Sequence, residues 1–92
     1  MKAWYAKVSP SGHRLFAGRH SRDVDVDGDV LTVTTRRGAA VFTAPVDGVG
    51  LVRTRQGVLL QVLARDPERN THVFEFRPRR HAEGRALADA LR

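Results

Sequence analysis

Two tight-turn signals between alternating segments constrain the fold of this 92-residue sequence more than any other feature. Asp27 and Gly28 separate two segments in which aliphatic and polar residues alternate, and an Asp-Gly pair readily adopts the positive φ angles of a type I′ turn. With these residues at the turn centre, Val24 pairs with Leu31 and Val26 with Asp29. This register puts Val24, Val26, Leu31 and Val33 on one face and Asp23, Asp25 and Thr32 on the other. The sequence therefore predicts a half-buried antiparallel hairpin.

The alternating pattern continues towards the C-terminus. Arg37-Gly38, read as a second two-residue loop, pairs Val33 with Phe42. Further strands are predicted at residues 49–54, 58–64 and 71–77, and the last of them places Phe74 and Phe76 on one face and Val73 and Glu75 on the other. The segment 58–64 is apolar on both sides, so its phase stays open. Residues 4–8 and 13–20 are weaker strand candidates around a turn at 9–12, and whether they join the main sheet is also open.

The final segment changes to a helical period. Pro78 ends the preceding strand, because proline has no N–H for a sheet ladder and suits the first turn of a helix. Residues 79–91 then form an amphipathic pattern whose apolar stripe is Gly84, Leu87, Ala88 and Leu91. We expect this helix to lie against the sheet.

Length and composition limit the remaining choices. A chain of 92 residues without cysteine is expected to form one domain over residues 1–92, with no disulfide scaffold and no thiolate metal site. Residues 1–12 are an extra strand or an arm. The sequence has no N-terminal apolar region and no run long enough to span a bilayer, which favours a cytoplasmic protein. The predicted fold class is mainly β (α+β): an antiparallel, strongly bent sheet or partly open barrel of about six to seven strands, closed by one C-terminal helix.

The charges follow the predicted turns. In an antiparallel meander successive turns lie at opposite ends of the sheet, roughly 20 Å apart for strands of about six residues. One end would then collect Asp25, Asp27, Asp29, Asp47, Asp66 and Glu68. The other end would collect Arg22, Arg36, Arg37, Arg53, Arg55, Arg77, Arg79 and Arg80. These arginines are the candidate partner-binding residues. The alternative, with equal weight, is that the excess of 14 Arg over 2 Lys reflects compositional bias and that the arginines are solvated without a function.

The order of the elements resembles a known superfold. Short antiparallel strands with tight glycine turns, closed by one amphipathic helix after the aromatic strand Val73-Phe74-Glu75-Phe76-Arg77, are similar to the pleckstrin-homology-like superfold and its small bacterial members. The resemblance covers residues 13–92 and includes no diagnostic motif. It implies two nearly orthogonal sheets in a barrel with the helix over one open end, and a non-enzymatic adaptor that binds proteins, peptides or sometimes phosphoinositides.

The phosphoinositide branch of this superfold uses alternating basic residues in its first hairpin. Here that hairpin offers Arg19, His20 and Arg22 if the first strand is residues 13–20, and an aspartate-rich segment if the first strand is residues 22–26. Neither alignment matches the basic pattern. Specific phosphoinositide binding is therefore not expected.

Motifs for catalysis or metal binding have simpler explanations. Asp23-x-Asp25-x-Asp27-Gly28 copies the front of an EF-hand loop, but Thr34 stands where a bidentate glutamate is needed, and the hairpin interpretation is preferred. The histidines have no helical i, i+4 pair and are expected to be surface or hydrogen-bonded residues: His13, His20, His72 and His81. Ser9, Ser11 and Ser21 lie in turn-like segments without a triad context. We expect no enzyme activity, no metal and no cofactor.

Binding of nucleic acid is the alternative function. A net charge of +6 and a sequence pI near 11.3 favour phosphate contacts through counterion release. Trp4, Tyr5 and Phe16 are the available stacking platforms, and exposure of Trp4 and Tyr5 on the arginine side would favour this function.

The sequence thus predicts a non-catalytic interaction module that binds a protein partner through its arginine-rich end. Self-association, either head to tail or through an unpaired edge strand, is a further expectation.

Overall fold

The computed structural model describes residues 2–27, 30–35, 38–43 and 49–91. Within these ranges the chain forms seven strands, a 3-10 turn and one helix. In chain order they are β1 Lys2–Val8, β2 Arg14–Asp27, β3 Val30–Thr35, β4 Gly38–Thr43, β5 Val49–Arg53, β6 Leu60–Arg65, β7 Thr71–Phe76, the 3-10 turn Pro78–Arg80 and α1 His81–Leu91. The predicted fold class, a bent antiparallel sheet with one C-terminal helix, is confirmed.

The N-terminal strand is the centre of the sheet. The strand order is β4-β3-β2-β1-β7-β6-β5, with every neighbouring pair antiparallel. Of the two alternatives for residues 1–12, an extra strand or an arm, the structure has a strand, since β1 pairs with β2 on one side and with β7 on the other. The candidate strand at 13–20 is the first part of the long strand β2.

The two predicted hairpins form, but both registers differ from the prediction. Val24 pairs with Val33 and Val26 with Leu31, and in the next hairpin Leu31 pairs with Phe42 where Val33 was expected. The residues between the paired strands, 28–29 and 36–37, lie outside the described residues. Each shift is two residues, and because side chains alternate with period two, the apolar face is preserved. Val24, Leu31 and Val33 are buried while Asp23 and Asp25 are exposed.

The core lies between the inner face of the sheet and α1. Among the residues whose side chains the structure describes, the buried apolar ones come from β1, β2, β3, β6, β7 and the helix: Ala3, Tyr5, Val24, Leu31, Val33, Leu60, Val62, Ala64, Phe74, Phe76, Leu87 and Ala88. The predicted helical stripe is confirmed, since Gly84, Leu87 and Ala88 are buried and Leu91 packs against the core. The helix contacts β5, β6 and β7 and also reaches β2. Register shifts between β1 and β2 allow the sheet to bend around it.

The predicted separation of acidic and arginine-rich turns at opposite ends is wrong. Lys2 pairs with Asp23, and Trp4 pairs with Glu75. The C-terminal ends of β2 and β7 therefore lie at the same end of the sheet as the start of β1. The turn at residues 66–70 lies at the other end. The cause is β1, because inserting one antiparallel strand between β2 and β7 reverses the direction expected from a simple meander. Asp29 and Asp47 lie outside the described residues.

Candidate functional site

Most of the predicted arginines lie at the end of the sheet where β1 begins. Arg53 ends β5, Arg55 follows in the exposed turn to β6, and Arg77 follows β7 directly. Arg79 and Arg80 belong to the 3-10 turn, which starts at Pro78 as proline's fixed φ favours. The backbone of Arg22 pairs with Ala3 at the same level of the sheet. Arg36 and Arg37 lie outside the described residues.

An open groove of about 890 Å³ lies between the start of β1, the end of β7 and the start of the helix, and we call it the Trp4 groove. Its lining is mixed in charge and polarity: Lys2, Ala3, Trp4, Leu59, Glu75, Phe76, Arg77, Arg79, Arg80 and Glu83. Three of the predicted arginines therefore share one concave surface. Leu59 links this surface to the β5–β6 turn that carries Arg55.

Trp4 is exposed because of strand alternation. Ala3 and Tyr5 point into the core and are each 3 % exposed, whereas Trp4 points to the outer face and is 40 % exposed. The two candidate stacking platforms on β1 are thus separated, with Trp4 on the arginine side and Tyr5 packed inside. The side chain of Phe16 lies outside the described residues.

Several charges of the groove are already paired. Arg80 Nη1 lies 3.2 Å from Glu83 Oε2, and Gln61 Nε2 donates to Glu75 Oε1 at 2.9 Å. Lys2 Nζ lies 2.9 Å from Asp23 Oδ2. Arg77 and Arg79 are exposed and form no ion pair with any residue in the described part of the chain. These two guanidinium groups are the cations that the groove offers to a ligand.

An acidic strip runs beside the groove on the outer face of β2, formed by Asp23, Asp25 and Asp27. All three residues are exposed, and they alternate with the inward-facing Val24 and Val26. Their pairing with β3 confirms the hairpin interpretation over an EF-hand loop. The hydrogen bond from Lys2 holds the pKa of Asp23 below its usual range.

A second polar feature is buried in the core, where Tyr5, His72 and Asp66 form a hydrogen-bonded chain. The Tyr5 hydroxyl lies 2.7 Å from His72 Nδ1, and His72 Nε2 lies 2.8 Å from Asp66 Oδ2. Asp66 Oδ1 also accepts the backbone N–H of Asn70 at 2.9 Å. His72 is 1 % exposed and Asp66 is 5 % exposed.

The protonation of this chain follows from its chemistry. Burial lowers the pKa of His72 despite the neighbouring Asp66 carboxylate, so the imidazole is neutral near pH 7. An ionised carboxylate can only accept, so His72 Nε2–H donates to Asp66 and Tyr5 O–H donates to Nδ1. Burial favours neutral Asp66, but hydrogen bonds from His72 and Asn70 outweigh it and hold the pKa of Asp66 below its ordinary value.

This buried chain stabilises the fold and differs from a catalytic triad. Burial and the charge of Asp66 raise the pKa of Tyr5 above its ordinary value, and the phenol is 3 % exposed, so it is a poor nucleophile. The hydrogen bonds from Tyr5 through His72 to Asp66 link the turn at residues 66–70 to the central strand β1. His72 was expected to be a surface or hydrogen-bonded residue, and the hydrogen-bonded alternative is confirmed. Its position in phase with Phe74 and Phe76 was the available signal for burial.

Comparisons with protein-family models, with curated proteins and with solved structures found no match. Among the residues that the structure describes, no helix is long and apolar enough to cross a membrane.

Proposed function

We propose that this chain is a non-catalytic protein-interaction module whose Trp4 groove binds an acidic segment of a partner protein. One observation carries the proposal: an exposed tryptophan lies in a groove with two arginines, Arg77 and Arg79, that no described residue neutralises. Exposed aromatic and arginine side chains are the types that dominate binding energy at protein interfaces.

The groove suits carboxylates flanking an apolar side chain. A guanidinium group binds a carboxylate through two parallel hydrogen bonds, which gives direction as well as attraction. The exposed indole of Trp4 supplies apolar surface at the same place. The volume of about 890 Å³ is in the range of sites that enclose a small ligand or a few residues of a peptide.

A protein segment fits this groove better than a nucleic acid. Glu75 and Glu83 line the same surface as the arginines, so a continuous phosphate backbone would meet negative charge that a peptide of mixed composition can avoid. The second aromatic platform that a single strand would need on β1, Tyr5, is buried. The exposed Trp4 beside arginines still makes single-stranded DNA the alternative ligand that an experiment has to exclude.

The order of elements supports the same class of function. Seven antiparallel strands followed by one helix is the order of the pleckstrin-homology-like superfold, and membership of that superfold is part of this proposal. In it, Arg53, Arg55 and Arg80 steer the acidic partner towards Arg77 and Arg79, since long-range attraction raises association rates. Arg22, Arg36 and Arg37 stay predicted contributors.

The proposal is tested by fluorescence titration, because Trp4 is the single tryptophan of the chain and lies in the groove. The ligands are a blocked octapeptide in which glutamates flank two leucines, and an oligothymidine of similar charge. The groove variant is Arg77→Glu/Arg79→Glu. Its matched control, Arg65→Glu/Arg85→Glu, changes the net charge equally at exposed positions outside the groove.

We expect the peptide to shift the emission of Trp4 and to bind the groove variant about 10-fold or more weakly, while the control changes affinity by about 2-fold or less. Equal loss in both variants would mean that only net charge matters and would contradict the proposal. Tighter binding of oligothymidine, with a steep salt dependence, would replace it with nucleic-acid binding.

A further inference from the structure

The acidic strip and the outward-facing part of the Trp4 groove, formed by Lys2, Trp4 and Glu75, lie side by side on the outer face of the sheet. Lys2 on β1 pairs with Asp23 of β2, and Trp4 on β1 pairs with Glu75 of β7. Continuing the second register places Arg77 beside Lys2. The start of β1 therefore separates an acidic side on β2 from an arginine side after β7, and both sides extend towards the same end of the sheet.

Neither side neutralises the other within one molecule. β2 and β7 are separated by β1, so their outward side chains start roughly 10 Å apart, two strand spacings. Among the residues whose side chains the structure describes, none forms an ion pair with Asp25 or Asp27, or with Arg77 or Arg79. Lys2, which lies between the two sides, is paired with Asp23.

We infer that a second copy of this chain binds face to face across this surface, with a two-fold axis running along the start of β1. A half turn about such an axis exchanges the β2 side for the β7 side and keeps their height along the strand. The acidic strip of each copy then begins at Asp23, level with Arg77 of the other copy, and extends through Asp25 and Asp27 towards the end of the sheet that carries the 3-10 turn with Arg79. Trp4, on the strand that the axis follows, is covered by the Trp4 of the other copy.

The symmetry of the surface favours this arrangement over the two kinds of self-association expected from the sequence. A two-fold interface repeats each contact, so one complementary pair of patches provides two attractive contacts and closes the assembly. Head-to-tail stacking would need opposite charged ends, which the strand register does not provide. The exposed edge strand β5 has Arg53 and Arg55 beside it, and the sequence between residues 49 and 65 contains no carboxylate to pair with them in a second copy.

This inference rests on the proposed function because both use the Trp4 groove. The acidic strip of a second copy would fill the site that an acidic partner fills, so the two would compete. Partner binding is then expected to dissociate the dimer. The free monomer would be the binding-competent form.

A charge-swap experiment tests the geometry directly. The strip variant is Asp25→Lys/Asp27→Lys, and the groove variant is Arg77→Glu/Arg79→Glu. Sedimentation of the full chain at about 50 mM salt should show a dimer for the unaltered protein, because surface charges are weakly screened there. Each variant alone should be a monomer, with a dimer dissociation constant raised by at least about 100-fold, since like charges would then face each other.

An equimolar mixture of the two variants should form a heterodimer, because the lysine-bearing strip of one variant then faces the glutamate-bearing groove of the other while the unaltered patches still match. Restoration also shows that both variants are folded. The control mixture combines the strip variant with Arg65→Glu/Arg85→Glu, which carries the same charge change away from the groove and should stay without a heterodimer.

Three results would overturn the inference: a monomeric unaltered protein at about 1 mM, dimers in both single variants, or no heterodimer in the mixture. Failure here is separable from failure of the proposed function. If the acidic octapeptide binds a monomeric unaltered protein through Arg77 and Arg79, the groove binds partners and only the dimer is wrong. If the swap restores the dimer but the octapeptide does not bind the monomeric strip variant, the groove serves self-association.

Discussion

The hydroxyl of Tyr5 lies 2.7 Å from Nδ1 of His72 and joins the central strand of the sheet to a buried histidine. The two rings also stack, with centroids 5.8 Å apart and an interplanar angle of 17°. Because His72 in turn donates to Asp66, the relationship ties β1 to the turn between β6 and β7. Stability should therefore depend on this contact and on the ionisation of its members.

Removing the Tyr5 hydroxyl should destabilise the fold. Tyr5→Phe keeps the buried ring but leaves Nδ1 of His72 without that donor, which costs about 1–2 kcal/mol of unfolding free energy for a buried acceptor. Urea unfolding followed by circular dichroism measures the loss. Ser11→Ala is a matched control, because it removes a hydroxyl that bonds to Ser9 at an exposed site, and it should change the stability by a few tenths of a kcal/mol. Equal effects of both substitutions would contradict the assigned bond.

The unfolding free energy should fall as the solution is acidified. The pKa of His72 is lowered in the folded state, so below the unfolded value of about 6.5 the unfolded chain binds a proton that the folded chain does not. The pKa of Asp66 is also lowered, so its contribution is present above about 3.8 and is lost at lower pH. Each group adds a slope of at most about 1.4 kcal/mol per pH unit.

The comparison variant for this pH dependence is His72→Gln, which cannot take up a proton. It should be less stable than the unaltered protein at pH 7, yet its unfolding free energy should fall less steeply between about pH 6.5 and pH 5. Parallel curves for the two proteins in that window would show that His72 is not the titrating group.

The close approach of the helix to the sheet should make Gly84 intolerant of substitution. A Cβ at this position would lie 2.8 Å from Cδ2 of Phe76 and 3.0 Å from Cδ2 of Leu60. Gly84→Ala gains up to about 1 kcal/mol of helix propensity, but overpacking costs about 1–3 kcal/mol, so a net loss is expected. In β5, Gly50→Ala is the control, since its nearest neighbour, Cβ of Leu63, is 4.0 Å away. Thermal unfolding should therefore show a lower Tm for Gly84→Ala than for Gly50→Ala.

Relief of backbone strain should stabilise the turn before β7. Arg69 has a φ angle of 67°, in the left-handed region that disfavours residues with a side chain. Arg69→Gly should raise the unfolding free energy by about 0.5–1 kcal/mol, since the relief exceeds the entropic cost of glycine. That gain corresponds to a rise in Tm of roughly 2–8 °C for a domain of this size. An unchanged or lower Tm would show that the arginine side chain contributes interactions that offset the strain.

Local patterns predicted the faces of the strands but not their neighbours. Phe74 and Phe76 lie on the inner face as expected, and so do Val24 and Leu31, because alternation survives a two-residue slip in register. The predicted registers were wrong, since Val24 pairs with Val33 and Leu31 with Phe42, each two residues away from the pairing that the glycine signals indicated. Turn chemistry alone does not determine the register of a hairpin when a shift of two residues buries the same side chains.

The central place of β1 could not be read from the sequence, and this also limited the prediction of the site. Arg77, Arg79 and Arg80 were expected at the end of the sheet with the start of the helix, and they line one groove there. The sequence did not predict where Trp4 lies in the sheet, because its position depends on pairing with a strand some 70 residues away. The same long-range pairing brings Tyr5 next to His72, and no local sequence pattern predicts this contact.

The pairing of the first strand with the last sets the order in which the chain can fold. Tyr5 pairs with Phe74, so the middle of the sheet stays incomplete until β7 is present and pairs with β1, during synthesis as well as in refolding. Before that, β1, β2, β3 and β4 can form one local meander and β5, β6 and β7 another, and the edges of β1 and β7 that pair in the complete sheet stay open. Closure of a loop this long slows folding relative to helical proteins of similar size. The contact between β1 and β7 is thus the last part of the sheet to close, and whatever delays it leaves the edges of these two strands exposed to other chains.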